Sequence, residues 1–126
     1  MRNDALVAID IGAGQGTRVA LFSDPATVIA ERYFALGEYG EGYESFLERL
    51  KGELDTLLSQ DGGRELRSIG IATPGVLQGD GSFKWVQNIS FLEGHNLKKD
   101  LSRLMGVPAG IANDADAGAL AEWSVL

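Results

Sequence analysis

The hydrophobic period changes once within the first 60 residues. Three runs, at residues 5–11, 17–22 and 27–35, are rich in β-forming residues, alternate well enough to predict strands, and are separated by glycine-rich or proline-containing turns. From residue 43 the apolar residues recur every three or four positions instead, which predicts an amphipathic helix that ends near residues 61–63. The chain is therefore expected to begin as a three-stranded antiparallel meander followed by a long helix. The apolar face of that helix is Tyr43, Phe46, Leu47, Leu50, Leu54, Leu57 and Leu58.

A buried strand and a small hairpin are predicted next. Residues 68–72 are a short apolar run that stops at Thr73-Pro74-Gly75, a pattern typical of a central strand. Residues 76–96 are predicted to be mostly loop. A small hairpin is predicted over residues 76–86, because Gly79-Asp80-Gly81 suits a tight turn. An irregular segment is thus expected beyond the carboxyl end of a central strand.

Two further helices are predicted on either side of a last strand. Asn96 is a suitable N-cap for a helix over residues 97–105, and Gly106 is a suitable residue to end it. Residues 107–112 then predict a fifth strand, and residues 114–126 predict a third helix rich in alanine and leucine.

The element order β-β-β-α-β-α-β-α predicts an α/β fold built on a mixed five-stranded sheet. Three antiparallel strands are joined to two parallel strands, and the helices between the later strands cover both faces. This is the ribonuclease H-like layout, and by analogy of topology it is also the half-unit of the actin-like ATPases. A length of 126 residues suits one domain. Because one fold serves many functions, the function has to be argued from motifs.

Charge and composition exclude several classes of function. A net charge of -7 and a pI near 4.6 make nucleic acid an improbable partner for this segment. The absence of cysteine excludes disulfides and thiolate metal sites. The apolar runs are too short for a signal peptide or a membrane span, so we expect a cytoplasmic protein with no membrane partner. His95, the single histidine, has no ligand partner at metal spacing, so we expect it to be solvated and predict no metal site from side-chain spacing.

The first candidate motif is the carboxylate at the tip of the first strand. Asp10 precedes the glycine-rich turn Gly12-Ala13-Gly14-Gln15-Gly16. A carboxylate in that place can hold a hydrated Mg²⁺, and glycines let backbone N–H groups approach phosphate oxygens. A tight hairpin requires glycines equally, so both interpretations stay open.

The second candidate motif follows the last predicted strand. Asn113 and Asp114 come directly before an alanine-rich run, where either residue could simply cap the helix. The other interpretation is that Asp114 is a catalytic base at the carboxyl end of a central strand, the edge of an open α/β sheet where ligands bind. The two interpretations are compatible. Asp10 would lie at the same edge if the strands run parallel.

Five segments distributed over nearly the whole chain form a specific set in this order and spacing. They are residues 9–12 with 17–21, residues 69–76, Asn88, residues 97–108 and residues 113–122. Together they resemble the ROK family of bacterial sugar kinases and sugar-responsive repressors. The resemblance implies the fold deduced above, with sugar and ATP as partners.

The resemblance also implies roles at the sugar side. Asp114 matches the family's catalytic base, which takes the proton from a sugar hydroxyl as that hydroxyl attacks the γ-phosphate of ATP. Asn113 matches a residue that hydrogen-bonds the sugar. Gly75 and Asn88 match segments that line the sugar side of the cleft.

The glycine-rich loop matches the family's phosphate and Mg²⁺ loop, so ATP and Mg²⁺ are the implied cofactors. The matching residues are Asp10, Gly12, Gly14 and Thr17. This chain departs from the family pattern D-x-G-G-T-K in having Ala13 at the second glycine and one residue more before the second strand. It also has Asp116 where the family often has asparagine, and a first-turn acidic residue is explained equally well by the helix dipole.

The family has a second domain, which carries an E-x-G-H sugar-binding motif, a cysteine-rich zinc site and the adenosine pocket, and this sequence contains none of the three. The chain stops at Trp123-Ser124-Val125-Leu126 within a predicted helix. We therefore expect residues 1–126 to be the N-terminal lobe of a longer protein, inactive alone. A sugar kinase is favoured, since only nine residues precede Asp10 if Met1 is the native start. A sugar-sensing regulator with an added helix-turn-helix is the alternative, and a homo-oligomer stays open.

Overall fold

The computed structural model describes residues 4–12, 16–24, 26–35, 42–62, 64–86 and 89–113. The helix predicted over residues 114–126 lies outside these ranges. Within them, no helix is both long and apolar enough to cross a membrane. The secondary-structure elements are β1 (Asp4–Gly12), β2 (Gly16–Asp24), β3 (Thr27–Phe34), α1 (Tyr43–Asp61), β4 (Glu65–Thr73), β5 (Val76–Leu77), β6 (Phe83–Trp85), a 3-10 turn (Ser90–Leu92), α2 (Leu97–Met105) and β7 (Ala109–Asn113).

The described elements confirm the predicted order, and two of the boundaries that differ from the prediction have a visible cause. β4 begins at Glu65, three residues before the predicted start, because its polar first residues pair with the start of β1 and Arg67 binds Asp4 at 2.9 Å. β7 begins at Ala109, two residues later than predicted. The carbonyl of Val107 accepts the hydroxyl of Ser102 at 2.6 Å, so this part of the chain still belongs to the turn after α2.

The five long strands form one mixed sheet in the order β3-β2-β1-β4-β7. β1 pairs with β2 and β2 pairs with β3 in antiparallel fashion, whereas β1 with β4 and β4 with β7 are parallel. This confirms the predicted ribonuclease H-like half-unit. Because β1, β4 and β7 run in the same direction, their carboxyl ends meet at one edge of the sheet.

One face of the sheet packs against α1 and α2. The side chains of β1 alternate, so that Val7, Ile9 and Ile11 are buried while Asp10 is exposed. Removal of a buried leucine side chain from such a core costs about 2–5 kcal/mol, so this face supplies much of the stability. The buried apolar residues of the two helices are Tyr43, Phe46, Leu50, Leu54, Leu57, Leu97 and Leu101.

One buried carboxylate joins α1 to β3. Glu53 is 5% exposed and accepts hydrogen bonds from the guanidinium groups of Arg32 and Arg49, the latter at 2.8 Å. The guanidinium of Arg49 also lies over the ring of Phe34, 4.9 Å from its centroid. Burial alone would raise the pKa of Glu53, but the two arginine hydrogen bonds outweigh it and lower the pKa.

Replacement of Glu53 by Gln is expected to lower the free energy of unfolding by about 3 kcal/mol, because the substitution leaves two partly buried arginines without their carboxylate. The folded-state pKa is below the ordinary value of 4.5. The ion pair therefore stabilises the protein fully above pH 4.5, and this contribution is lost as the pH falls through the folded-state pKa. Urea denaturation between pH 7 and pH 3 should show a difference between wild type and E53Q that narrows in acid. A constant difference would contradict this assignment.

Candidate functional site

Three parallel strands bring predicted site residues to one edge of the sheet. In the strand register, Asp10 of β1 is opposite Ala72 of β4, and Thr73, the next residue of β4, is opposite Asn113 of β7. Since neighbouring strands are about 4.8 Å apart, the backbones of Asp10 and Asn113 are about 10 Å apart. A sheet edge of this span can hold the reacting ends of two small ligands.

Asp10 is an exposed carboxylate on the sheet face opposite α1. None of the described residues donates a hydrogen bond to it or forms an ion pair with it. Within the described ranges, no group of three or more histidine, cysteine, aspartate or glutamate side chains could hold a metal ion. A lone accessible carboxylate nevertheless fits Mg²⁺ in nucleotide sites, where the ion keeps several waters and takes its other ligands from phosphates.

The glycines flanking the first turn are required by close packing of three strands. A Cβ atom on Gly12 would lie 2.5 Å from the carbonyl oxygen of Gly16. Gly16 has a φ of +97°, and a Cβ atom there would lie 2.6 Å from the carbonyl oxygen of Phe34. Two interpretations of the glycines were open, phosphate binding and the geometry of a tight hairpin. At Gly12 and Gly16 the geometry of the hairpin alone already requires glycine. Gly14 lies outside the described residues.

Thr17 is placed differently from Asp10. It is opposite Ile11 in the pair of β1 and β2, and its side chain is 1% exposed on the face that packs against the helices. A buried hydroxyl does not reach a ligand at the surface. Any part that Thr17 has in phosphate binding must therefore go through its backbone or through the shape of the loop.

Gly75 forms the turn beyond β4, on the same edge as Asn113. It has a φ of +94°, and a Cβ atom on it would overlap the carbonyl oxygen of Trp85. Val76 and Trp85 are opposite each other in the small hairpin of β5 and β6, and both are about half exposed. The turn at Gly75 is thus held against this hairpin. Asn88 and Asp114, the other two predicted site residues, lie outside the described residues.

A contact that the sequence did not predict ties the hairpin region to both helices. The ring of Tyr43 stacks on the ring of His95 with centroids 3.8 Å apart, and its hydroxyl donates to Asp100 at 2.5 Å. Burial and the Asp100 carboxylate raise the pKa of Tyr43 well above its usual range. His95 is exposed as predicted, yet one face of its ring is covered. The partners are more than 50 residues apart, so no local pattern could have revealed the contact.

The 89–95 segment is also bound to β6. The amide of Phe83 donates to the carbonyl of His95 at 3.0 Å, and the amide of Gly94 donates to the carbonyl of Phe83 at 2.8 Å. The amide of Val86 donates to the carboxylate of Glu93 at 3.2 Å. These bonds hold the chain on either side of Asn88 in a defined position.

An open cavity of about 490 Å³ lies away from this edge, along α2 and the amino end of β7. In open α/β sheets, ligands bind beyond the carboxyl ends of the parallel strands. The position of this cavity therefore does not suit a ligand that contacts Asp10 and Asn113. Its lining residues are Asp80, Asn96, Lys98, Lys99, Ser102, Arg103 and Ala109.

Comparison of the sequence with known proteins finds one family and a relative that is a sugar kinase. The sequence model of the ROK family matches residues 6–125. The N-acetylgalactosamine kinase AgaK of Shewanella sp. (strain ANA-3) is 29% identical over 114 residues, which are 90% of this chain and 35% of that protein.

Solved structures of several ROK proteins share the fold, among them a kinase and a regulator. The ROK hexokinase of Thermus thermophilus superposes with a TM-score of 0.78 at 27% identity, over 94% of this chain and 38% of that protein. A ROK family transcriptional regulator, described as a homolog of the E. coli MLC protein, superposes with a TM-score of 0.78 at 21% identity, over 95% of this chain and 30% of that protein. The chain thus spans between 30% and 38% of the length of these three proteins.

Proposed function

Because the chain belongs to the ROK family, we propose that residues 1–126 are the N-terminal lobe of an ATP-dependent sugar kinase. The observation that carries the proposal is the meeting of Asp10 and Asn113 at the carboxyl edge of three parallel strands. Asp114 follows Asn113 directly in the sequence. One edge therefore has a carboxylate suited to the phosphate side and an amide next to a carboxylate suited to the sugar side.

The proposed reaction transfers the γ-phosphoryl group of ATP to a sugar hydroxyl. Asp114 accepts the proton as the hydroxyl oxygen forms its bond to phosphorus, and the bond from phosphorus to the ADP oxygen breaks. Asn113 hydrogen-bonds the sugar and orients the hydroxyl. Gly75 and Asn88 shape the sugar side of the cleft.

On the nucleotide side, Asp10 is the residue that would hold Mg²⁺. The ion, when bound, neutralises charge on the phosphates. Gly12 and Gly14 let the backbone approach those phosphates, and Thr17 positions the loop from its buried place in β2. The remainder of the cleft, with the E-x-G-H motif, the zinc site and the adenosine pocket, belongs to a second lobe outside these 126 residues.

We propose a hexose or an N-acylated hexosamine as the substrate. The relative from Shewanella is named as an N-acetylgalactosamine kinase, and the Thermus structure as a hexokinase. Both sugars present the ring hydroxyls that Asn113 and Asp114 would contact. The discriminating contacts come in part from the second lobe.

A sugar-sensing regulator is the second candidate. It is favoured by the ROK transcriptional regulator, whose fold matches over 95% of this chain. In that case the lobe would bind the sugar, and a helix-turn-helix elsewhere in the protein would bind DNA. The acidic surface of the 126 residues would take no part in DNA binding.

Incubation of the full-length protein with ATP, Mg²⁺ and single sugars tests the two candidates. We expect ADP and sugar phosphate in equal amounts with at least one sugar among glucose, N-acetylglucosamine and N-acetylgalactosamine, followed by phosphorus NMR. Sugar binding by calorimetry without phosphate transfer to any of them would reject the kinase in favour of the regulator.

A further inference from the structure

Arg18 of β2 lies directly opposite Asp10 of β1 in the antiparallel pair. Opposite residues in such a pair point to the same face of the sheet, with Cβ atoms about 5 Å apart. A guanidinium group in this place is within reach of the Asp10 carboxylate. An ion pair between the two would occupy the oxygens that the proposed function leaves to Mg²⁺.

The guanidinium of Arg18 instead turns to the other neighbouring strand. Its Nε and one terminal nitrogen both donate to the same carboxylate oxygen of Glu31 on β3, at 2.8 and 2.5 Å. Arg18 is opposite Tyr33, and Glu31 is two residues from Tyr33 along β3, so it is the diagonal neighbour of Arg18 on the same face of the sheet. The contact therefore draws the arginine along the sheet and away from Asp10.

The Arg18–Glu31 ion pair contributes little to the stability of the fold. The side chains of Arg18 and Glu31 are 30% and 40% exposed, and ion pairs at that exposure contribute at most about 1 kcal/mol. Glu31 is the only carboxylate that the described residues bring to Arg18 within hydrogen-bond distance. Without it, the carboxylate that the strand register places opposite Arg18 is that of Asp10.

We propose that Glu31 is a positioning residue, which holds Arg18 away from Asp10 and so keeps the Asp10 carboxylate open to the Mg²⁺ of the nucleotide. This inference rests on the proposed function, because it takes Asp10 as the residue that meets the metal. Glu31 itself touches neither the metal nor the nucleotide. Its effect passes entirely through the position of Arg18.

The test is binding of Mn²⁺·AMPPNP to the full-length protein, measured by calorimetry in wild type, E31Q, R18Q and the double variant R18Q/E31Q. Glu31→Gln is expected to weaken binding by about threefold to fivefold, the range that an exposed ion pair between Arg18 and Asp10 would supply. The double variant is expected to bind as R18Q does. Asp55→Asn, which breaks the exposed Lys51–Asp55 pair on α1, is the matched control and should bind as wild type.

A second readout is independent of the nucleotide. The Nε–Hε NMR signal of Arg18, identified by its loss in R18Q, should shift in E31Q. It should shift again in E31Q/D10N, towards the position of a guanidinium with no carboxylate partner, because neither Glu31 nor Asp10 then offers one. Unchanged binding in E31Q, or a double variant as weak as E31Q, overturns the positioning role. Failure of the wild-type protein to phosphorylate any sugar overturns the proposed function instead, while the NMR signal still decides whether Glu31 positions Arg18.

Discussion

Replacement of Asp114 by Asn in the full-length protein is expected to lower kcat for sugar phosphorylation by about 10²–10⁴-fold, the range that a general base contributes. Sugar affinity should stay within about tenfold of wild type, because the amide keeps most of the shape and hydrogen bonding of the carboxylate but cannot accept the proton. Loss of kcat with a nearly unchanged sugar affinity is the signature of a group that acts in the transition state rather than in substrate binding.

Asp116→Asn is the matched control for this experiment. It removes a carboxylate two residues further on, at a position where ROK proteins often have asparagine. We expect kcat within about threefold of wild type, since a carboxylate in the first turn of the helix predicted there would contribute only about 0.3–1 kcal/mol through the helix dipole. Near-wild-type turnover in D114N, or an equal loss in D114N and D116N, would reject Asp114 as the base. Circular dichroism melting of both variants establishes that they are folded.

The strand and helix pattern was predictable because it is local. The change from an alternating period to a helical one at Tyr43 is visible in the sequence, and the α1 bounds Tyr43–Asp61 confirm it. The early start of β4 was not predicted, because Glu65 and Arg67 carry no apolar signal and join the strand only through the neighbouring β1. The bounds of a strand depend on its partner, which a single-sequence pattern does not contain.

The placement of the candidate site residues could also be predicted in part. The meeting of Asp10 and Asn113 at one edge follows from the element order and from parallel β1, β4 and β7, and the strand register confirms it. The position of Arg18 between Asp10 and Glu31 depends on the register of two strand pairs, so it could not be predicted. The candidate residues at this edge are thus visible in the sequence, whereas the side chains that the strand register places beside them are not.

Gly75→Ala is expected to lower the free energy of unfolding by about 2–4 kcal/mol and to raise KM for the sugar more than it changes kcat. Two causes add. A φ of +94° is unfavourable for any residue with a Cβ, at about 1 kcal/mol, and the new Cβ would also overlap the carbonyl oxygen of Trp85. Since that oxygen belongs to the backbone of β6, either the turn or the hairpin must move. Asn88 follows the hairpin by three residues in the sequence, so we expect the proposed sugar side of the cleft to change with it.

The matched control separates the two causes. Gly62, at the end of α1, has a φ of +80° and no atom within 4 Å of a Cβ built on it. Gly62→Ala therefore carries the conformational cost alone, about 1 kcal/mol, and should leave KM unchanged. Urea unfolding and sugar kinetics of both variants in the full-length protein measure the difference, which is the energy of the close approach between Gly75 and Trp85. If G75A were as stable as G62A, the hairpin would move aside for the added methyl group without measurable cost. The close approach of Gly75 to Trp85 would then not fix the position of the turn at the proposed sugar side.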